Sequence, residues 1–145
     1  MPELRLPATL EALEPIRDFV ADVATRAGLE KHAVYKLMTG VDEIVTNIVL
    51  YGYQENGQEG DVQVNADVTS RDLVIELVDT SPPFNPLDKP APTNLDAPLD
   101  ERSIGGLGIF MAVKSADLYE YEYIDGANIN RFIVHRQTQT DGTAE

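Results

Sequence analysis

The stretch DEIVTNIVLYGY, residues 42–53, decides how the chain is read. Val41, Ile44, Val45, Ile48 and Val49 recur at three- and four-residue steps, the spacing of one buried helical face. Asn47 interrupts that apolar pattern, with Glu43 one turn before it. Residues four apart lie about 40° from each other on a helix, so the amide and the carboxylate share a face. Asp42 is five from Asn47 and points elsewhere. An amide oxygen is a hard, neutral ligand suited to a magnesium ion that keeps other positions for phosphate and water. A carboxylate one turn away can take a proton from an attacking hydroxyl or water. The pair alone does not separate this chemistry from a buried amide that holds a neighbouring loop, with Glu43 in solvent.

Working outward, the helix that contains this stretch runs from about residue 30 to 51, until GYQENGQEG (residues 52–60) breaks it. Before it, Leu10, Leu13, Ile16, Phe19, Val20, Val23 and Ala27 form another helical stripe, closed by Gly28. Pro15 lacks an amide donor, so the regular helix is expected to begin near Glu14. ELRLP, residues 3–7, reads as a short strand. After the break, Val62, Val64, Ala66 and Val68 alternate with polar residues, the pattern of a sheet with one buried face. LVIELVD, residues 73–79, is a more fully apolar strand ending on Asp79. Residues 80–104 show no periodicity and hold six of the nine prolines. A loop of that length exceeds the ~12–15 residues expected in a compact domain. A helix then starts behind glycines at GGLGIFMAVKSA (105–116), and two strands follow, about 117–124 and 129–135. The order β-α-α-β-β-loop-α-β-β predicts an α+β two-layer sandwich: a mostly antiparallel mixed sheet with helices on one face. One domain over residues 1–138 with a polar tail at 139–145 accounts for the whole length.

Composition narrows the partners. The chain carries 25 acidic against 11 basic side chains, a net charge of −14. Such a surface repels phosphate backbones and anionic membranes, which argues against direct nucleic-acid or membrane binding. There is no cysteine, which excludes disulfides, thiolate metal sites and a Cys nucleophile. No window approaches the ~20 apolar residues of a membrane helix, and a cytoplasmic protein is expected. His32 and His135 have no third ligand beside them, so zinc is not expected.

Three further positions carry candidate chemistry. A carboxylate at Asp79 can accept from the exocyclic amine of adenine and reject the carbonyl of guanine, although a strand-ending Asp also simply starts turns. Gly105, Gly106 and Gly108 stand at a helix N-terminus, where free amides approached closely make a phosphate site, or where the chain hinges. Arg102 can reach a terminal phosphate, or it is a solvated loop arginine.

Together these pieces resemble the GHKL, or Bergerat-fold, nucleotide-binding family shared by histidine-kinase ATP domains, gyrase and MutL. DEIVTN is similar to the family's N box, DTSPPFNP (79–86) to its first glycine box and GGLGIFMAVKSAD (105–117) to its second. The segment at about 80–104 falls where the family carries its ATP lid. Within that group the likeness is to anti-sigma-factor serine/threonine kinases, free-standing homodimeric domains that bind a sigma factor and phosphorylate a small STAS-type antagonist. The resemblance implies ATP and Mg²⁺ as cofactors, Glu43 as catalytic base and Asn47 as metal ligand. It further implies Asp79 as adenine acceptor, Gly105, Gly106 and Gly108 at the phosphates, and Arg102 at the terminal phosphate. A nucleotide-responsive adaptor that sequesters a sigma factor without catalysis is the alternative. Ser81 departs from the family's glycine and Tyr51 from its histidine. No Thr or Ser backs the adenine pocket from a late strand, where Asn128 or Asn130 stands instead.

Overall fold

The alternation of buried and half-exposed residues in the strands explains most of the architecture. In the computed structural model, which describes residues 2–88 and 106–136, five strands form one sheet. They are β1 (Glu3–Pro7), β2 (Asp61–Val68), β3 (Asp72–Asp79), β4 (Leu118–Ile124) and β5 (Ala127–His135), in the spatial order β1-β2-β3-β5-β4. Every neighbouring pair is antiparallel. Val62, Val64 and Ala66 of β2, Leu73, Ile75 and Leu77 of β3, and Phe132 and Val134 of β5 are buried on one face. That face is covered by α1 (Leu13–Arg26) and α2 (Lys31–Asn47), through Ile16, Val20, Leu37, Val41, Ile44 and Val45. The opposite face keeps its polar residues half-exposed, with Arg131 donating to Glu76 at 2.8 Å and pairing with Glu122 at 2.6 Å.

The helices begin and end for local reasons. A single 3₁₀ turn at Leu10–Ala12 leads into α1, one residue earlier than Pro15 suggests. Pro15 sits in the first turn, where a missing N–H costs nothing. Gly28 follows with φ +89°, a left-handed residue that ends the helix.

The long helix expected to reach residue 51 does not stay α-helical. α2 stops at Asn47, and Ile48–Tyr53 continues as a wider π-helical segment. A π turn is uncommon and is often found at functional sites. Its last residue, Tyr53, is buried. Its hydroxyl donates to the Asp61 carbonyl at 2.9 Å and accepts from the Thr80 amide at 2.8 Å. This residue joins the end of the helix to the end of β3. The last helix, α3 (Gly106–Val113), packs against α2. Arg102, Gly105, residues 89–104 of the expected lid and the 139–145 tail lie outside the described residues.

Candidate functional site

Register sets the site. In the β3–β5 pairing Asp79 lies opposite Asn128 and Leu77 opposite Asn130. Alternation then turns Asp79, Asn128 and Asn130 onto the helix-covered face, where all three are buried. The end of α2 reaches the same place, so Asn47, Gly52, Asp79, Ser81, Asn128 and Asn130 line one small cleft.

Asp79 is anchored through a single oxygen. Its Oδ1 accepts from the Ser81 amide (3.0 Å), the Ser81 hydroxyl (2.5 Å) and Asn128 Nδ2 (3.1 Å). Among the described residues Oδ2 accepts nothing. No fully buried side-chain polar atom there lacks a partner, so Oδ2 must remain open to the cleft. Burial pushes the Asp79 carboxyl above its ordinary value, against the opposing pull of the Ser81 and Asn128 hydrogen bonds. The site thus holds a carboxylate at a cost that a ligand donating to Oδ2 would relieve.

Ser81, in the place of a glycine, is accommodated by Gly52. A Cβ on Gly52 would stand 2.6 Å from the Ser81 hydroxyl oxygen. The hydroxyl therefore occupies the space that the glycine leaves, and becomes a third donor to Asp79.

Of the two late-strand asparagines, Asn128 is fully used. Its Nδ2 also donates to the Ser81 carbonyl (2.9 Å), and its Oδ1 accepts from the Phe84 amide (3.1 Å) and the Tyr121 hydroxyl. It fastens the start of the loop to β5. Asn130 differs. Its Oδ1 accepts from Tyr119 at 2.6 Å, and burial raises the pKa of that phenol, which keeps it a donor. Its Nδ2 has no partner among the described residues and, by the same reasoning as for Asp79 Oδ2, stays open to the cleft.

At the other end, Asn47 Nδ2 donates to the Glu43 carbonyl (2.7 Å) and to Glu43 Oε2 (3.1 Å). The side-chain pair expected from the four-residue spacing is therefore formed. Asn47 Oδ1 has no described partner and is open, and so is Glu43 Oε1. Asp42 points away and is held by Arg17 Nε at 2.9 Å. Gly106 is the first residue of α3, and Gly108 lies directly against Glu43: a Cβ there would overlap the Glu43 carboxylate. Three open atoms thus face one cleft: an amide oxygen, a carboxylate oxygen and an amide N–H. The Glu43 carboxylate is bonded to one of the lining residues, Asn47. A ligand with a hydrogen-bonding planar ring and an oxygen-rich, metal-binding tail fits that set. No cluster of three His, Asp or Glu side chains able to hold a metal occurs among the described residues. The fit with Mg²⁺ is therefore one neutral oxygen from Asn47, with ligand oxygens and water completing the shell.

Comparisons with known proteins give the family and the fold. The family model of the histidine kinase-like ATPase domain matches residues 6–133. Over 145 residues the chain is 27% identical to a serine-protein kinase RsbW of Staphylococcus aureus, an alignment covering 97% of this chain and 91% of that protein. A solved structure of RsbU and RsbW domains from Mycobacterium tuberculosis is similar in fold, with TM-score 0.62 at 15% identity. It is matched over 95% of this chain, which spans only 34% of that longer one. The Acinetobacter baumannii histidine kinase AdeS aligns with TM-score 0.52 at 11% identity, over 95% of this chain and 70% of its own.

Proposed function

The chain belongs to the histidine kinase-like ATPase domain family, and from that premise we propose that it is an ATP-dependent serine/threonine protein kinase. In this reading it is an anti-sigma regulatory factor that phosphorylates a small STAS-type antagonist domain. It also binds a sigma factor and works as a cytoplasmic homodimer. No helix among the described residues is long and apolar enough to cross a membrane. The observation that carries the reading is Glu43: its Oε2 is fixed by Asn47, which lines the cleft, and its carboxylate rests on Gly108, leaving Oε1 without a partner among the described residues.

The roles follow from the open atoms. Asp79 Oδ2 accepts from the exocyclic 6-amine of adenine and Asn130 Nδ2 donates to a ring nitrogen; guanine presents a carbonyl at position 6, which Oδ2 repels. Asn47 Oδ1 is the protein's ligand to Mg²⁺, which when bound supplies charge neutralisation at the phosphates. Gly106 and Gly108 let the α3 backbone approach the triphosphate, with Gly105 and Arg102 proposed beside them. The acceptor's hydroxyl oxygen forms a bond to the γ-phosphorus as the bond to the β–γ bridging oxygen breaks. ADP leaves, and the hydroxyl proton passes to Glu43 Oε1. Mass spectrometry of candidate STAS-type domains after incubation with the protein and Mg·ATP tests the whole reading. A phosphorylated Ser or Thr is expected, and no modification of any of them overturns it.

Two predictions belong to this site. Gly108→Ala should push the Glu43 carboxylate out of place, since the added Cβ has no room. A shift on the order of 1 Å costs about 10²-fold in rate, so single-turnover transfer should fall by that order while Mg·ATP still binds. An unchanged transfer rate would refute the close contact.

The second concerns pH. The folded pKa of Asp79 is raised, so its contribution to ligand-free stability is fully present below the ordinary value and is lost as pH rises through the raised one. Binding runs the other way, because only the ionised Oδ2 accepts from the adenine amine. Mg·ATP affinity should therefore weaken on acidification at a pH above the ordinary Asp range. Titration calorimetry across pH checks this, with Asp79→Asn expected to remove the dependence.

A further inference from the structure

Glu43 is tied to the cleft through Asn47, which lines it. Glu43 itself lines a separate groove, of ≈ 520 Å³, between α2 and α3. The groove exists because small residues let the two helices meet. A Cβ on Gly40 would overlap the Ser115 side chain, and Gly40, Ala112 and Ser115 are all buried and form its floor. Long side chains form its rim. Tyr35 and Met111 are 66% and 60% exposed, an unusual waste of apolar surface if nothing covers them. Lys36 and Lys114 stand beside them.

The charges single this groove out. The chain carries a net charge of −14, yet among the described residues the only acid lining the groove is Glu43. Neither lysine forms an ion pair among the described residues, whereas Arg17, Arg26 and Arg131 all do. Lys114 instead lies over the Phe110 ring, 6.0 Å from its centre. Two unpaired ammonium groups and two exposed apolar side chains thus lead to the one carboxylate positioned to take a proton.

We infer that this groove seats the acceptor segment of the protein substrate. That segment carries an acidic side chain for Lys36 or Lys114 and an apolar side chain for Tyr35 and Met111, close to the hydroxyl residue. The inference rests on the kinase reading and adds the direction of entry. The nucleotide arrives through the cleft of Asn47, Asp79 and Asn130, the protein hydroxyl through the α2–α3 groove, and the two meet at Glu43 and Gly108. Complementary charge at the rim acts mainly on encounter and register. The groove therefore selects the acceptor without touching the base of the nucleotide.

The test uses the full-length protein and a STAS-type domain that the wild type phosphorylates. Lys36→Glu combined with Lys114→Glu should raise KM for that domain by about tenfold or more at low salt. KM for ATP, kcat at saturating acceptor and the Mg·ATP-induced rise in Tm should not change. Wild-type KM should climb with salt, and that of the reversed variant should not. Tyr35→Ala, which removes an exposed ring and no charge, should also raise KM for the acceptor. Lysine in place of an acidic residue near the phosphorylated position of the acceptor should restore the reversed variant. Unchanged acceptor KM in both variants overturns the inference while leaving the kinase reading intact. So does a rise in KM for ATP, which would put the lysines on the nucleotide, or an altered oligomeric state, which would put a second copy in the groove. If the wild type modifies no such domain, the kinase reading itself fails, and the inference with it.

Discussion

Glu43→Ala is expected to bind Mg·ATP as the wild type does and to transfer almost nothing. Loss of a positioned general base costs about 10²–10⁴-fold. In the proposed reading the nucleotide contacts lie on other residues: Asp79 and Asn130 at the base, Asn47 at the metal. The Asn47 side chain also keeps its bond to the Glu43 main-chain carbonyl, which the substitution leaves in place. Affinity and chemistry should therefore separate cleanly. Thermal shift with Mg·ATP reads the first, and single-turnover phosphorylation of a STAS-type domain reads the second. Glu43→Gln, which keeps the size and loses the basicity, should resemble the alanine variant. Full transfer by either one would remove Glu43 from the reaction and leave a site that only shapes the nucleotide.

Asp79→Asn should have the opposite character, with improved ligand-free stability and lost adenine recognition. Three donors converge on Oδ1, so the carbonyl oxygen of an asparagine must take that position. Its NH₂ is then forced into the cleft where Oδ2 stood. A donor now meets the donor of adenine, whereas guanine's carbonyl would be welcome. Since burial disfavours the ionised carboxylate, the neutral amide should keep or raise the Tm of the free protein, a known trade between stability and function. The wild type should gain about 2.7 kcal/mol from Mg·ATP at a hundredfold excess over Kd. The variant should lose most of that gain, and Mg·GTP should become the better ligand. If Asp79→Asn still prefers ATP, Asp79 does not read the base.

Much of this was legible in the residues alone. The four-residue step from Glu43 to Asn47 is enough to place amide and carboxylate together on a helix. Asp79 at the end of an apolar strand is enough to place a carboxylate at a strand end, which proves to be the buried end of the central strand β3. The π-helical turn was not legible, because Ile48 and Val49 keep the apolar spacing that an ordinary helix would show. Nor could alternation choose between Asn128 and Asn130, which share a face two residues apart. Only the packed partners reveal that the first is consumed by Ser81 and Phe84 and the second is left open. The groove beside Glu43 was also hidden: nothing in a sequence marks Gly40 and Ser115 as the place where two distant helices touch.

The Gly52–Ser81 contact has a consequence for how this chain could change over time. The serine hydroxyl fills the space left by the missing side chain, so the two positions are not independent. A larger residue at 52 meets the serine side chain at 81, and would gain that space if 81 were glycine. The order of the two steps decides whether a lineage passes through a folded intermediate. Substitutions at either position are therefore better judged as a pair, because the effect of one is set by the history of the other.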